Sequence, residues 1–254
     1  QHDIIVGVAY DTDLPLAMAS INDVLARNSR VLKDPAPVVA EGRPEENRLM
    51  VRAIYHQFNV SRETYGRLEV YAALLEKWNP RINLVAKSTI EDLWARHIVD
   101  SAQLWSIASV NSGSWLDIGS GGGFPGLVIA AIAHEFAPDL KVSLVESDAR
   151  KSVFLRTAAR NMGLDVQVFN ARIEELQPQN ADILSARALS SLDTLLDYSL
   201  LHRKPEGISL FPKGQRHNSE LTTAQKSWHI SYDTIPSLTD AEAVIFKIGA
   251  FHRA

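Results

Sequence analysis

Apolar positions recur along this chain at two different spacings, and the change from one to the other divides it. Over residues 48–108 the period is helical. Tyr65, Leu68, Tyr71, Ala72 and Leu75 recur at three- and four-residue steps behind Ser61, a residue type that caps helix starts. Pro80 is expected to end that helix, because proline brings no N–H to the next turn. Ser88-Thr89-Ile90-Glu91 has the order of a capping box and is expected to open a second helix running through Trp105. From Ser114 onward, short apolar runs alternate with helical stretches. The strand candidates are 115–118, 142–146, 166–169, 183–186, 208–211 and 244–248. Asp148 is placed to cap one intervening helix and Gly163 to stop it. Alternation at this spacing predicts an α/β fold with a mostly parallel sheet and helices on both faces.

Ahead of these lies a separate stretch. Ile4-Ile5-Val6-Gly7-Val8-Ala9 reads as a short strand, and Asp13 is a cap for a helix with Pro15 early in it and Ile21, Val24 and Leu25 on one face. Asp34-Pro35-Ala36-Pro37 stops that helix. The polar run Glu41-Gly42-Arg43-Pro44-Glu45-Glu46-Asn47 reads as a boundary. The expected organisation is an appended β-α segment over 1–40, a helical cap over 41–110 and the sheet domain over 111–254.

Composition narrows the chemistry. At 254 residues the chain can hold one large α/β domain, or one domain with a small appendage. No apolar run approaches the roughly 20 residues that cross a bilayer, and the apolar run 126–133 reads as a buried helix. Gln1-His2-Asp3 lacks the basic start of a signal peptide, so a cytoplasmic location is expected. There is no cysteine. That excludes disulfides, iron–sulfur chemistry and a thiol nucleophile, and with them radical methyl transfer and cytosine-C5 transfer through a Cys adduct. The eight histidines form no H-E-x-x-H or paired spacing, so no metal is expected. Net charge is −4, so any nucleic-acid contact must come from local basic clusters.

The strongest motif is Trp115-Leu116-Asp117-Ile118-Gly119-Ser120-Gly121-Gly122-Gly123-Phe124-Pro125-Gly126. A strand ends near Asp117, glycines allow a sharp turn close to a ligand, and a helix with free N–H groups begins near Pro125. Gly121-x-Gly123-x-x-Gly126 satisfies the dinucleotide fingerprint, a weak signature alone. The full string fits D-x-G-x-G-x-G, the first motif of class I methyltransferases, better. Glu146 ends the next strand candidate and suits a ribose, whichever cofactor carries it. Ala171-Arg172-Ile173-Glu174-Glu175-Leu176 follows the third strand, where the adenine would lie in this fold. Ser185-Ala186-Arg187-Ala188-Leu189 puts Arg187 at the carboxyl edge of the sheet, where a functional role and a plain salt bridge stand level. Lys213, in Phe211-Pro212-Lys213-Gly214, is a candidate for an RNA-backbone contact. The five tryptophans read as core.

With these residues in view, the sequence resembles the RsmG (GidB) family, bacterial methyltransferases acting on guanine N7 of 16S ribosomal RNA. The resemblance runs from about Glu45 to the end. It is carried by Leu75-Glu76-Lys77-Trp78-Asn79, Ile82-Asn83-Leu84, Arg96-His97-Ile98-Val99-Asp100-Ser101, the glycine loop, Arg172-Ile173-Glu174-Glu175, Ser185-Ala186-Arg187-Ala188 and Pro212-Lys213-Gly214. It implies a Rossmann-like class I methyltransferase fold, S-adenosylmethionine as cofactor, and 16S ribosomal RNA or a small-subunit precursor particle as partner. It also implies that Gly119, Phe124, Ile173, Glu174 and Arg187 contact the cofactor, joined by Asp117, Gly121 and Glu146 from the general motif. Asn83, His97, Arg172, Arg187 and Lys213 are implied to face the RNA or the target base. Residues 1–40 instead resemble part of the soluble carboxy-terminal region of MscS-like mechanosensitive channels, as in a fusion. Two rival readings stay open here: a dinucleotide-dependent oxidoreductase and a non-enzymatic assembly module.

Overall fold

The computed structural model describes residue 58 and residues 60–254. The expected segment at 1–40 and the polar boundary at 41–47 lie outside the described residues. Helix α1, Arg62–Ile82, begins as its sequence requires. The Ser61 hydroxyl accepts from the Thr64 amide at 3.2 Å, and the Ser61 amide donates to the Glu135 carboxylate at 3.0 Å. Leu68, Tyr71, Ala72 and Leu75 form the buried face, packed on the helices α3 and α4 given below. Pro80 does not end α1. The helix runs two residues beyond it to Asn83, whose left-handed backbone (φ 48°) lets its amide donate to the Asn79 carbonyl. A proline in the last turn forfeits only its own hydrogen bond. Asn79 Oδ1 then takes the amides of Leu84 and Val85 at 2.7 and 2.9 Å and steers the chain away.

The second expected helix is also different. A 3-10 turn, Lys87–Thr89, leads to a π-helical turn, Trp94–Val99, and only then to α2, Asp100–Ala108. The capping-box order at 88–91 does not open a regular helix. The Thr89 hydroxyl binds the Ala86 carbonyl and His97 instead, a tertiary demand that overrides the local signal.

Seven strands follow, in the order β3-β2-β1-β4-β5-β7-β6. They are β1 Gly113–Ile118, β2 Leu140–Val145, β3 Gln167–Phe169, β4 Ala181–Ser185, β5 Arg203–Lys213, β6 Trp228–Pro236 and β7 Val244–Arg253. The first five are parallel, and β7 runs antiparallel to both β5 and β6. Strand β6 escaped the sequence reading. It lies at the edge with most residues exposed, so no apolar run marks it, although Trp228, Ile230 and Tyr232 do alternate. The helices between strands are α3 Gly126–Phe136, α4 Ala149–Asn161, α5 Leu192–His202 and α6 His217–Ala224. Residues 126–133 are all buried, as their composition predicts. Asp148 caps α4 by accepting from the Arg150 and Lys151 amides, and Gly163, at φ 67°, follows the end of the helix.

Between β1 and β4 the order of connections reverses. In open parallel sheets ligands bind outside the carboxyl ends of the strands at such a point. Everything that follows sits there.

Candidate active site

The loop after β1 is shaped from behind. Gly119, Gly121 and Gly123 take φ of 64°, 54° and 98°, a region that favours glycine. A Cβ at Gly119 would stand 2.5 Å from Leu189 Cδ1, so a larger residue there would displace that side chain. Asp117 is fully buried. Its Oδ1 accepts from the Ser185 hydroxyl at 2.7 Å, its Oδ2 from the Gly126 amide at 3.3 Å, and Ser185 in turn accepts from the Trp115 indole at 2.8 Å. Burial pushes the Asp117 carboxyl from 3.8 up to about 6, against the hydrogen bonds that favour its charge. From the front, the Tyr71 hydroxyl donates to the Gly122 carbonyl at 2.5 Å.

In front of this loop a cavity of about 560 Å³ opens, within the range that holds small ligands. Of the residues expected at the site, Gly119, Gly121, Phe124, Glu146, Arg172, Ile173, Glu174, Arg187 and His97 line it. Three do not. Asp117 braces the loop from beneath. Asn83 is the exposed left-handed cap of α1, one residue before Leu84, which does line the cavity. Lys213 is committed elsewhere: its ammonium donates to the Ser190 carbonyl and the Glu220 carboxylate, both at 2.8 Å, and only 9% of its side chain is exposed. A lysine so paired ties the end of β5 to the loop after β4.

Glu146 stands just past β2 and is nearly buried. Its Oε2 accepts from the Gly121 amide at 2.8 Å and its Oε1 from the Asp148 amide at 2.7 Å. Each carboxylate oxygen has further acceptor capacity, so the group is oriented toward the cavity with room for vicinal hydroxyls. The neighbouring 3-10 turn, Ile173–Glu175, is fastened twice by α5. His202 Nε2 donates to the Ile173 carbonyl at 2.9 Å, and the Tyr198 hydroxyl donates to Glu174 at 2.5 Å. The second bond holds the Glu174 carboxyl below its usual value and pushes the Tyr198 phenol up to about 12. Tyr198 also lines the cavity, and no spacing in the sequence marked it.

Across the mouth lies Arg187. It forms an ion pair with Asp100 at 3.1 Å, the salt bridge that the sequence left level with a functional role, and it also lines the cavity. Its guanidinium and the His97 ring stand 5.1 and 5.0 Å from the centre of the Phe124 ring. Burial, reinforced by Arg187 and Arg96, lowers His97 to about 3, so the imidazole is neutral at physiological pH.

Comparison with known proteins now decides the family. The GidB family model, described as rRNA small subunit methyltransferase G, matches residues 64–244. This chain belongs to the GidB family. Ribosomal RNA small subunit methyltransferase G of Cereibacter sphaeroides is 54% identical over 192 residues, covering 76% of this chain and 92% of that protein. The protein of the same name from Ruegeria pomeroyi is 54% identical over 190 residues, covering 75% and 93%. That from Paramagnetospirillum magneticum is 48% identical over 189 residues, covering 74% and 90%.

The GidB fold is the Rossmann-like one expected, and its cavity fits S-adenosylmethionine on the chemistry of its donors. The loop backbone approaches closely where an amino-acid moiety would lie, Glu146 offers a two-point acceptor, and Ile173 adds an apolar wall. A dinucleotide fits badly. Its pyrophosphate would rest on the first turn of α3, where the Gly126 amide is already taken by the Asp117 carboxylate.

Proposed function

We propose that this chain transfers the methyl group of S-adenosylmethionine to N7 of a guanine in 16S ribosomal RNA, within the small-subunit RNA or a precursor particle. The observation that carries the reading is the cavity at the β1–β4 switch point. There a helix start closed by Asp117 disfavours the pyrophosphate of a dinucleotide, and the strand-end acceptor Glu146 suits the ribose of an adenosyl amino acid. Gly119, Gly121 and Phe124 hold the methionine part, Glu146 the ribose, and Ile173 with Glu174 the adenine side. Arg187, His97 and Arg172 stand on the side from which the base enters. Asp117 contributes by bracing the loop. In this reading the helices of the described residues before 111 form a cap and 111–254 the catalytic domain, and the protein works in the cytoplasm. No helix among the described residues is long and apolar enough to cross a membrane.

Bound S-adenosylmethionine supplies an electrophilic methyl group on a sulfonium. Guanine N7 is an exposed acceptor with a free lone pair, so it needs no deprotonation before attack. The cavity is consistent with that economy. His97 has both ring nitrogens engaged by Arg187 and Thr89 and is not poised as a base. The chain's work is therefore positioning: holding cofactor and base in line and excluding water.

The test is transfer of label from methyl-tritiated cofactor to small-subunit RNA and to the assembled subunit, with the base mapped by cleavage at 7-methylguanine and primer extension. Label in 7-methylguanine is expected. Label in another base, or in none, rejects the reading, as does calorimetric binding of NAD in place of S-adenosylhomocysteine. A chain truncated to begin at Glu45 is expected to keep its affinity for S-adenosylhomocysteine, with the channel-like residues 1–40 lying outside the activity.

A further inference from the structure

The π-helical turn Trp94–Val99 displaces backbone groups from the regular helical ladder, a geometry that recurs at functional sites. Here it gathers three acceptors on one guanidinium. The Arg96 carbonyl and Asp100 Oδ2 each accept from Arg187 Nη1 at 3.1 Å, and His97 Nδ1 accepts from Nη2 at 2.6 Å. Asp100 is itself pinned from the far side. Its Oδ1 accepts from Gln103 Nε2 at 2.9 Å and from the Thr239 hydroxyl at 2.8 Å, while Gln103 Oε1 accepts from the Leu238 amide at 3.0 Å. The connection between β6 and β7 thus holds the carboxylate in place.

At the other end of the relay, His97 Nε2 lies 2.7 Å from the Thr89 hydroxyl, which donates onward to the Ala86 carbonyl at 2.8 Å. The direction of every bond is forced. A guanidinium only donates, so Nδ1 is bare. Nε2 therefore carries the ring proton, and the threonine hydroxyl accepts it because its own proton is given to a carbonyl.

We infer that Asp100 and Thr89 are positioning residues of the methyl-transfer site. Asp100 anchors and neutralises Arg187, which sets His97 as the Nε2–H tautomer, and Thr89 accepts that proton and fixes the ring, so that this part of the rim is rigid and Arg187 is charge-compensated. This rests on the proposed N7 methylation, in which the positive charge of the electrophile moves onto the base. An unpaired Arg187 or a protonated His97 beside it would oppose that movement.

The tautomer is read directly from long-range ¹H–¹⁵N correlation spectra of the full chain labelled at histidine, with His97 assigned by its loss in H97Q. The parent is expected to show a protonated Nε2 and a bare Nδ1. T89V is expected to keep the tautomer but shift the Nε2 resonance, through loss of its hydrogen bond, and T89S to keep that resonance at its parental position. D100N is expected to lower kcat for RNA methylation about 10- to 100-fold while affinity for S-adenosylhomocysteine is unchanged. A parent His97 carrying its proton on Nδ1, or on both nitrogens at neutral pH, overturns the inference whatever the variants do. So does parental kcat in D100N together with a parental spectrum in T89V. A variant that no longer binds S-adenosylhomocysteine is read as misfolded, and the parent spectrum then decides. A parent with the expected spectrum that methylates no RNA would reject the proposed function, and with it the role given to this rim.

Discussion

At the scale of single residues, two strand-end acids divide the work of the site. Asp117 lies near the end of β1 and Glu146 just past the neighbouring β2, yet one turns under the glycine loop and the other out to the cavity. The elevated Asp117 carboxyl has a consequence for stability. Its folded-state value of about 6 lies above the unfolded 3.8, so the folded protein holds this proton more tightly. The contribution is present below about pH 4 and is lost as pH rises through about 6. D117N is expected to flatten this part of the pH–stability curve, which in the parent should fall by about 3 kcal/mol across the window. Urea unfolding at several pH values from 4 to 7 measures it, and an unaltered slope in D117N would show that another group is responsible. Glu146 was legible from its place after a strand. The different duty of Asp117 was not, because it depends on Ser185, 68 residues away.

Among the elements, local signals held where no distant partner competed for them. Ser61 caps α1 and Asp148 caps α4, as their sequences require. S61A is expected to lower stability by about 1 kcal/mol, read as a lower melting temperature with affinity for S-adenosylhomocysteine retained. The capping-box order at Ser88 opens no regular helix: Thr89 serves His97, and the helix expected beyond it gives way to a π turn that serves Arg187. Pro80 was misread for a simpler reason: near a helix end its missing N–H has little left to break.

Across the whole molecule, the antiparallel β6–β7 pair extends the parallel sheet and supplies the connection that grips Asp100. Trp228 anchors that edge. It is 1% exposed, its indole donates to Asp193 at 2.9 Å, and it meets Phe251 edge-on at 5.5 Å. W228A is expected to lower unfolding free energy by about 3–5 kcal/mol in urea titration, the usual range for deleting a large core aromatic. A loss below 1 kcal/mol would mean that the edge pair contributes little to the sheet.

The amino-acid sequence alone determined the alternation of strands and helices, the glycine loop, the caps and the family pattern. Each is written in spacings of a few residues, where backbone geometry leaves little choice. Only the tertiary structure decided which polar groups face the cavity. Lys213 is spent on Glu220, Asp117 on Gly126, and Arg187 on Asp100, which lies 87 residues away. A buried or half-buried charge takes whichever partner the packed elements bring within about 3 Å, and no local pattern records which one that is.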